Sequence, residues 1–137
     1  MYNKTFWIGF IVIYIVMQAI GFLVHGILLQ EHYAALADVF RPEPEMNAMM
    51  WMMFVSAALY LYLFCRLFVG GYEGKGVGEG IRFGLLAGLF MSIPMSIDQY
   101  VIYPITPALA AIWFVTGVIS FVIVGAIFAA IYKPTTA

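Results

Sequence analysis

The sequence predicts an all-α membrane protein, four transmembrane helices in an up-down bundle forming one domain. Three observations carry this: 65% of the 137 residues are hydrophobic and only 9% charged, the mean hydropathy is +1.01, and charged residues cluster between four long apolar runs. Soluble domains carry about a quarter charged residues, so this chain is too apolar for water. A net charge of -1 offers no electrostatic footprint for nucleic acid. The one cysteine, Cys65, cannot form an internal disulfide and is expected to pack as a small hydrophobe.

The first run, residues 5–29, has no Asp, Glu, Lys or Arg and exceeds the roughly 30 Å that a helix must cross at about 1.5 Å per residue. It is too long for the core of a signal peptide and is followed by no small-residue cleavage motif, so a retained helix is expected. The second run covers 46–69, the third 81–103 and the fourth 107–132. Each is predicted helical because, in lipid, a single segment can satisfy its own backbone groups only as a helix.

The connections fit these boundaries. Residues 70–80, Gly-Gly-Tyr-Glu-Gly-Lys-Gly-Val-Gly-Glu-Gly, read as a flexible turn, since each glycine loses much backbone freedom in a helix. Thr106 before Pro107 reads as an N-cap followed by a proline that needs no hydrogen-bonded N–H. Lys133 and Pro134 close the fourth helix.

Charge then orients the bundle. Lys4, Arg66, Lys75, Arg82 and Lys133 lie at the chain ends and around the glycine turn, and only Arg41 lies between the first two runs. By the positive-inside rule both termini are expected in the cytoplasm of a bacterial or archaeal cell. Aromatic residues form two belts, Tyr2, Trp7, Tyr72 and Tyr132 on the inside and Tyr33, Trp51, Tyr100, Tyr103 and Trp113 on the outside. Five of the seven acids and both histidines fall on the outer side.

Ionisable residues at membrane depth are functional candidates by default, and only His25 and Asp98 qualify. Together with Glu31, His32, Gln99 and Tyr100 they form the candidate polar outer-face site. The ordinary alternatives are a His25 that hydrogen-bonds across a helix interface and an Asp98 held near the headgroups by Gln99, Tyr100 or the 30–45 connection. Pro94 removes one intrahelical bond and leaves the Phe90 carbonyl unpaired, so a kink is expected there, with Ser92, Ser96 or water filling the gap. His25 and His32, seven residues apart, share a face of a straight helix but stand roughly 10 Å apart along it, too far to hold one ion.

Residues 21–33, GFLVHGILLQEHY, align over 88–100, GLFMSIPMSIDQY, with a glycine at one end and an acid and a tyrosine near the other. A parallel repeat of two helical hairpins would give this pattern, and shared composition of apolar helix ends is the preferred account of it.

Met46, Met49, Met50 and Met53 have the i, i+3, i+4, i+7 spacing of one helix face, and thioethers select Cu(I). Packing is the commoner use of methionine. The pairs Met49–Met53 and Met91–Met95 resemble the paired methionines of eukaryotic copper transporters, and Gly84–Gly88 resembles their glycine pair. The chain departs from that family in its four helices, in lacking a methionine-rich outer tail, and in placing the pair at the start of an inward-running helix. Small multidrug exporters carry a membrane-embedded Glu in their first helix where this chain offers Gln18, and nothing matches fluoride channels.

No phosphate-binding loop, paired-Cys motif or HExxH pair is present. The expected function is therefore non-enzymatic and without a cofactor: an integral inner-membrane protein surrounded by lipid, acting as a homo-oligomer or as accessory subunit of a larger membrane complex. Gly84, Ala87, Gly88, Gly117 and Gly125 provide small faces for close helix packing within the molecule, while the small volume inside four helices favours assembly. The alternatives are a small transporter or channel using the outer polar residues, and a Cu(I)-handling protein using the methionines.

Overall fold

A computed structural model describes residues 3–134; Tyr2, assigned to the inner aromatic belt, lies outside them. The described residues are helical and contain no strand. Four helices are long and apolar enough to cross a membrane: Lys4–Leu28, Trp51–Gly70, Val77–Ile102 and Pro107–Ile131. In detail the chain forms α1 (Lys4–Gly21), a π-helical run (Phe22–Leu28), α2 (Gln30–Ala34), α3 (Glu43–Met49), α4 (Trp51–Gly70), α5 (Val77–Ile93), a second π-helical run (Pro94–Asp98), α6 (Gln99–Ile102) and α7 (Pro107–Ile131).

Two caps are as their residue types dictate. The Asn3 side chain accepts from the Phe6 amide at 3.0 Å to start α1, and Thr106 Oγ1 accepts from the Leu109 amide at 3.2 Å ahead of Pro107. The ends of the chain are also clasped. Asn3 Nδ2 and Thr5 Oγ1 both donate to the Lys133 carbonyl, and the Lys133 amide donates back to Thr5 Oγ1 at 3.1 Å.

The tightest pair is α5 against α7, antiparallel, because glycines let the two backbones meet. A Cβ on Gly80 would collide with the Gly125 carbonyl, one on Gly84 with the Phe121 carbonyl, and one on Gly88 would come within 3.0 Å of the Val118 Cα. Further along, Gly117 leaves room for the Ser92 hydroxyl. α1 packs antiparallel to α7 through Gly9, where a Cβ would lie 2.8 Å from the Phe128 ring.

α4 is held differently, by rings. Phe64 and Phe68 meet Phe83 at centroid distances of 4.8 and 5.5 Å, Phe68 meets Phe128 at 5.5 Å, and Tyr62 meets Phe6 at 6.1 Å. The main core of Phe6, Ile13, Leu61, Phe64, Cys65, Phe68, Val124 and Phe128 therefore lies toward the end that carries the glycine turn. A smaller core of Leu29, Ile105 and Leu109 lies at the other end.

Three expectations are corrected. The second run is not one helix from Met46: it starts at Glu43, breaks at Met50 and resumes at Trp51, because Pro42 and Pro44 start a separate short helix. The glycine turn shrinks to residues 71–76, since Val77–Gly80 are helical; the contact of Gly80 with Gly125 compensates the low helix propensity of glycine. Only Gly74 and Gly76 need glycine's freedom, with φ of +76° and +68°. The first run is not α-helical throughout, because its last quarter is π-helical.

Candidate functional site

Both ionisable residues singled out by depth lie in the two π-helical runs, His25 within Phe22–Leu28 and Asp98 at the end of Pro94–Asp98. Such runs are rare and recur at functional sites. The second follows from Pro94, which has no N–H to continue the α ladder. The first lies between Gly21 and Leu29, whose amide donates to the Val24 carbonyl five residues back at 2.9 Å. Each run is followed by a short α-helical segment, α2 or α6, so the first and third spans share the order α, π, α.

The π-helical run changes which residue His25 meets. An i→i+5 bond encloses one residue more than an α-helical bond, so the register of the following side chains slips. The shared face expected for His25 and His32 is lost, and Tyr33 takes that place. Tyr33 Oη lies 2.6 Å from His25 Nδ1, and the two rings stack with an interplanar angle of 15°. From α7, Trp113 Nε1–H donates to the same oxygen at 2.9 Å. With Trp113 donating to Tyr33 and Tyr33 donating onward to His25 Nδ1, the His25 proton is assigned to Nε2. Burial holds the Tyr33 phenol above its ordinary value, against the opposing pull of the Trp113 bond, so Tyr33 stays a donor at neutral pH. Phe40 closes edge-on against Tyr33 at 5.4 Å.

The other candidates are not drawn into this cluster. Glu31 is exposed and His32 half-buried beside it in α2. Asp98 and Tyr100 are exposed, Gln99 is half-buried, and no hydrogen bond or ion pair joins Asp98 to Gln99, Tyr100 or the 30–45 connection among the described residues. The segments that carry His25 and Asp98 meet α7 through different residues. Trp113 turns toward Tyr33, while Pro107, Ala110 and Phe114 line a cleft of about 410 Å³ with Ser96, Ile97 and Tyr100. Ser96 is buried and its hydroxyl has no partner among the described residues, so it does not serve the carbonyl that Pro94 frees.

No group of three His, Cys, Asp or Glu side chains that could hold a metal occurs among the described residues. Met46 and Met49 belong to α3 and Met53 to α4, with Met50 at the break between them, so the expected single-face stripe is divided. All four are exposed.

The opposite end holds chemistry that the sequence reading assigned only to topology. Glu79, in the first turn of α5, is buried, and its carboxylate accepts the Glu73 amide at 2.6 Å and the Lys75 amide at 2.8 Å. Those two bonds pin the turn that glycine content marked as flexible. Glu73 in turn pairs with Lys75 Nζ at 2.5 Å and with Arg82 Nη2 at 2.7 Å. Hydrogen bonds from Lys75 and then Arg82 hold the Glu73 carboxyl well below the usual range, at about 2. The signal available in the sequence was two acids six residues apart flanking a glycine-rich stretch, with Lys75 between them and Arg82 one turn on.

No family model, no curated protein and no solved structure matches the chain.

Proposed function

We propose that the chain is a non-enzymatic integral membrane subunit that works in an assembly, as a homo-oligomer or as accessory component of a larger complex. Its termini and glycine turn face the cytoplasm of a bacterial or archaeal membrane, and the His25 end faces outward. The orientation rests on the five basic residues at one end against Arg41 at the other.

One observation carries the assembly reading: residues 41–56 are exposed at every position, so α3 and the first six residues of α4 bury no face against the bundle, although the Phe54 carbonyl accepts from Tyr14 Oη at 3.3 Å. Trp51, Met53 and Phe54 are 59%, 65% and 45% exposed, on different sides of the helix. Helices in proteins close-pack at interior density, and a helix segment standing off its own bundle leaves a gap for another helix. Methionine adapts readily to such a partner surface.

The test is cross-linking in native membranes of a Cys65→Ala protein carrying cysteine at position 49 or 53, with the purified protein sized in mild detergent. An adduct from either position, to a second copy or to a copurifying protein, is expected. A monomer that copurifies with nothing and gives no adduct would end this reading.

The placement of His25 and Asp98 in π-helical runs favours one alternative, a small transporter or channel using the outer end. Unchanged solute flux in liposomes after His25→Ala and Asp98→Asn would remove its basis.

A further inference from the structure

A groove of about 440 Å³ runs between the end of α4 and one side of α5. At its head stand Glu73, Glu79 and Arg82, and beyond them it is apolar, walled by Phe68 and Phe83 and continuing past Leu85, Leu86 and Leu89. Leu86 is 68% exposed on a helix long and apolar enough to cross a membrane, so in a bilayer hydrocarbon chains must lie along this wall.

The head of the groove has donors to spare. Each oxygen of Glu79 accepts a backbone amide, of Glu73 and of Lys75, so Glu79 takes no side-chain donor from the two cations, while its charge still acts on Arg82. One carboxylate, Glu73, is shared by two cations, Lys75 and Arg82. An ammonium offers three donors and a guanidinium five, and Glu73 takes one from each. A phosphate diester brought to this point would find unspent donors of both cations, and its chains would follow the leucine wall.

We propose that this groove binds an anionic phospholipid, its phosphate on Lys75 and Arg82 and an acyl chain along Leu85, Leu86 and Leu89, with Glu73 acting as an internal competitor for the two cations. Basic clusters where a helix meets the headgroup layer recognise anionic lipid through this combination of charge and apolar contact. The site is independent of any partner on α3 and the first residues of α4, which lie at the other end of the bundle from the groove.

Native mass spectrometry of the full chain, released from micelles containing phosphatidylglycerol or phosphatidylcholine of matched acyl chains, tests this. Phosphatidylglycerol should be retained about tenfold better. Lys75→Gln with Arg82→Gln should abolish the preference, and Leu86→Trp, an exposed position filled without a change of charge, should lower retention of both lipids. Glu73→Gln should raise phosphatidylglycerol retention about threefold or more, since it removes the competitor. A purely structural Glu73 would instead lower it, and that result would overturn the proposal, as would equal retention of the two lipids. Displacement by soluble glycerol 3-phosphate would also overturn it, by showing a site for a free phosphate.

Discussion

Trp113 Nε1–H donates to Tyr33 Oη at 2.9 Å across 80 positions of the chain, and the same oxygen lies 2.6 Å from His25 Nδ1. In the donor order Trp113 to Tyr33 to His25, a side chain of the fourth span is tied to the tautomer of a histidine in the first. Tyr33→Phe removes the middle of this chain while keeping the ring. Nitrogen-15 NMR of the labelled histidine should show the Nε2–H form in the parent protein and a mixture of tautomers in the variant. The loss of stability should be about 0.6 to 1.7 kcal/mol, the range of hydrogen bonds between membrane helices. An unchanged tautomer signal would show that the ring proton is placed by something else.

At the other end, pH acts on Glu73. Its folded-state pKa, at about 2, lies below the ordinary carboxylate value of 4.5, so its pairing stabilises the turn fully above that ordinary value and is lost as pH falls toward 2. The turn should stay closed at pH 5, loosen between pH 4.5 and about 2, and do so earlier at high salt, because the pair is exposed. Amide exchange at Glu73 and Lys75 reports the opening. Protection of these amides relative to their intrinsic exchange rate at each pH, if constant across this window, would remove Glu73 from the turn's stability.

Gly84 meets the backbone of Phe121 and Val122, which cannot rotate away as a side chain could. Gly84→Leu should force α5 and α7 apart and cost about 3 kcal/mol or more, the upper end of overpacking effects. Gly21→Leu, at a position with nothing within 4 Å, should cost far less. Thermal aggregation midpoints in detergent compare the two variants directly.

Ser96 buries a hydroxyl without a partner among the described residues. Replacing such a group by an apolar one removes a desolvation penalty, so Ser96→Ala should be neutral or stabilising by about 1 kcal/mol. A destabilised variant would mean that the hydroxyl is satisfied in the membrane by water or by the Pro94 region.

What the sequence disclosed depended on the range of the interaction. Four spans, the Thr106–Pro107 start and the existence of a glycine turn were legible because each is written in consecutive residues and governed by lipid, capping or backbone entropy. The break at Met50 was partly written, in Pro42 and Pro44, and was masked by the apolar run around it. The meeting of Tyr33 with Trp113 could not be read at all, because hydrophobic runs do not say which faces touch. Glu79 was missed for a related reason. A carboxylate beside glycines looks solvated until the turn folds back and supplies two amides. The π-helical run at His25 had no proline to announce it, and it alone converts a shared face with His32 into a shared face with Tyr33.

The clasp between Thr5 and Lys133 has a consequence for how the molecule is made. α1 leaves the ribosome before α7, yet Gly9 rests on Phe128, and the Lys133 carbonyl and amide bond Thr5. Until α7 is made, α1 leans on α4, through the rings around Tyr62. Assembly of the main core is therefore a late event that follows insertion rather than accompanying it. A chain stalled before α7 would leave Phe6 and Phe68 without the Phe128 ring that covers them, open to quality control by membrane proteases.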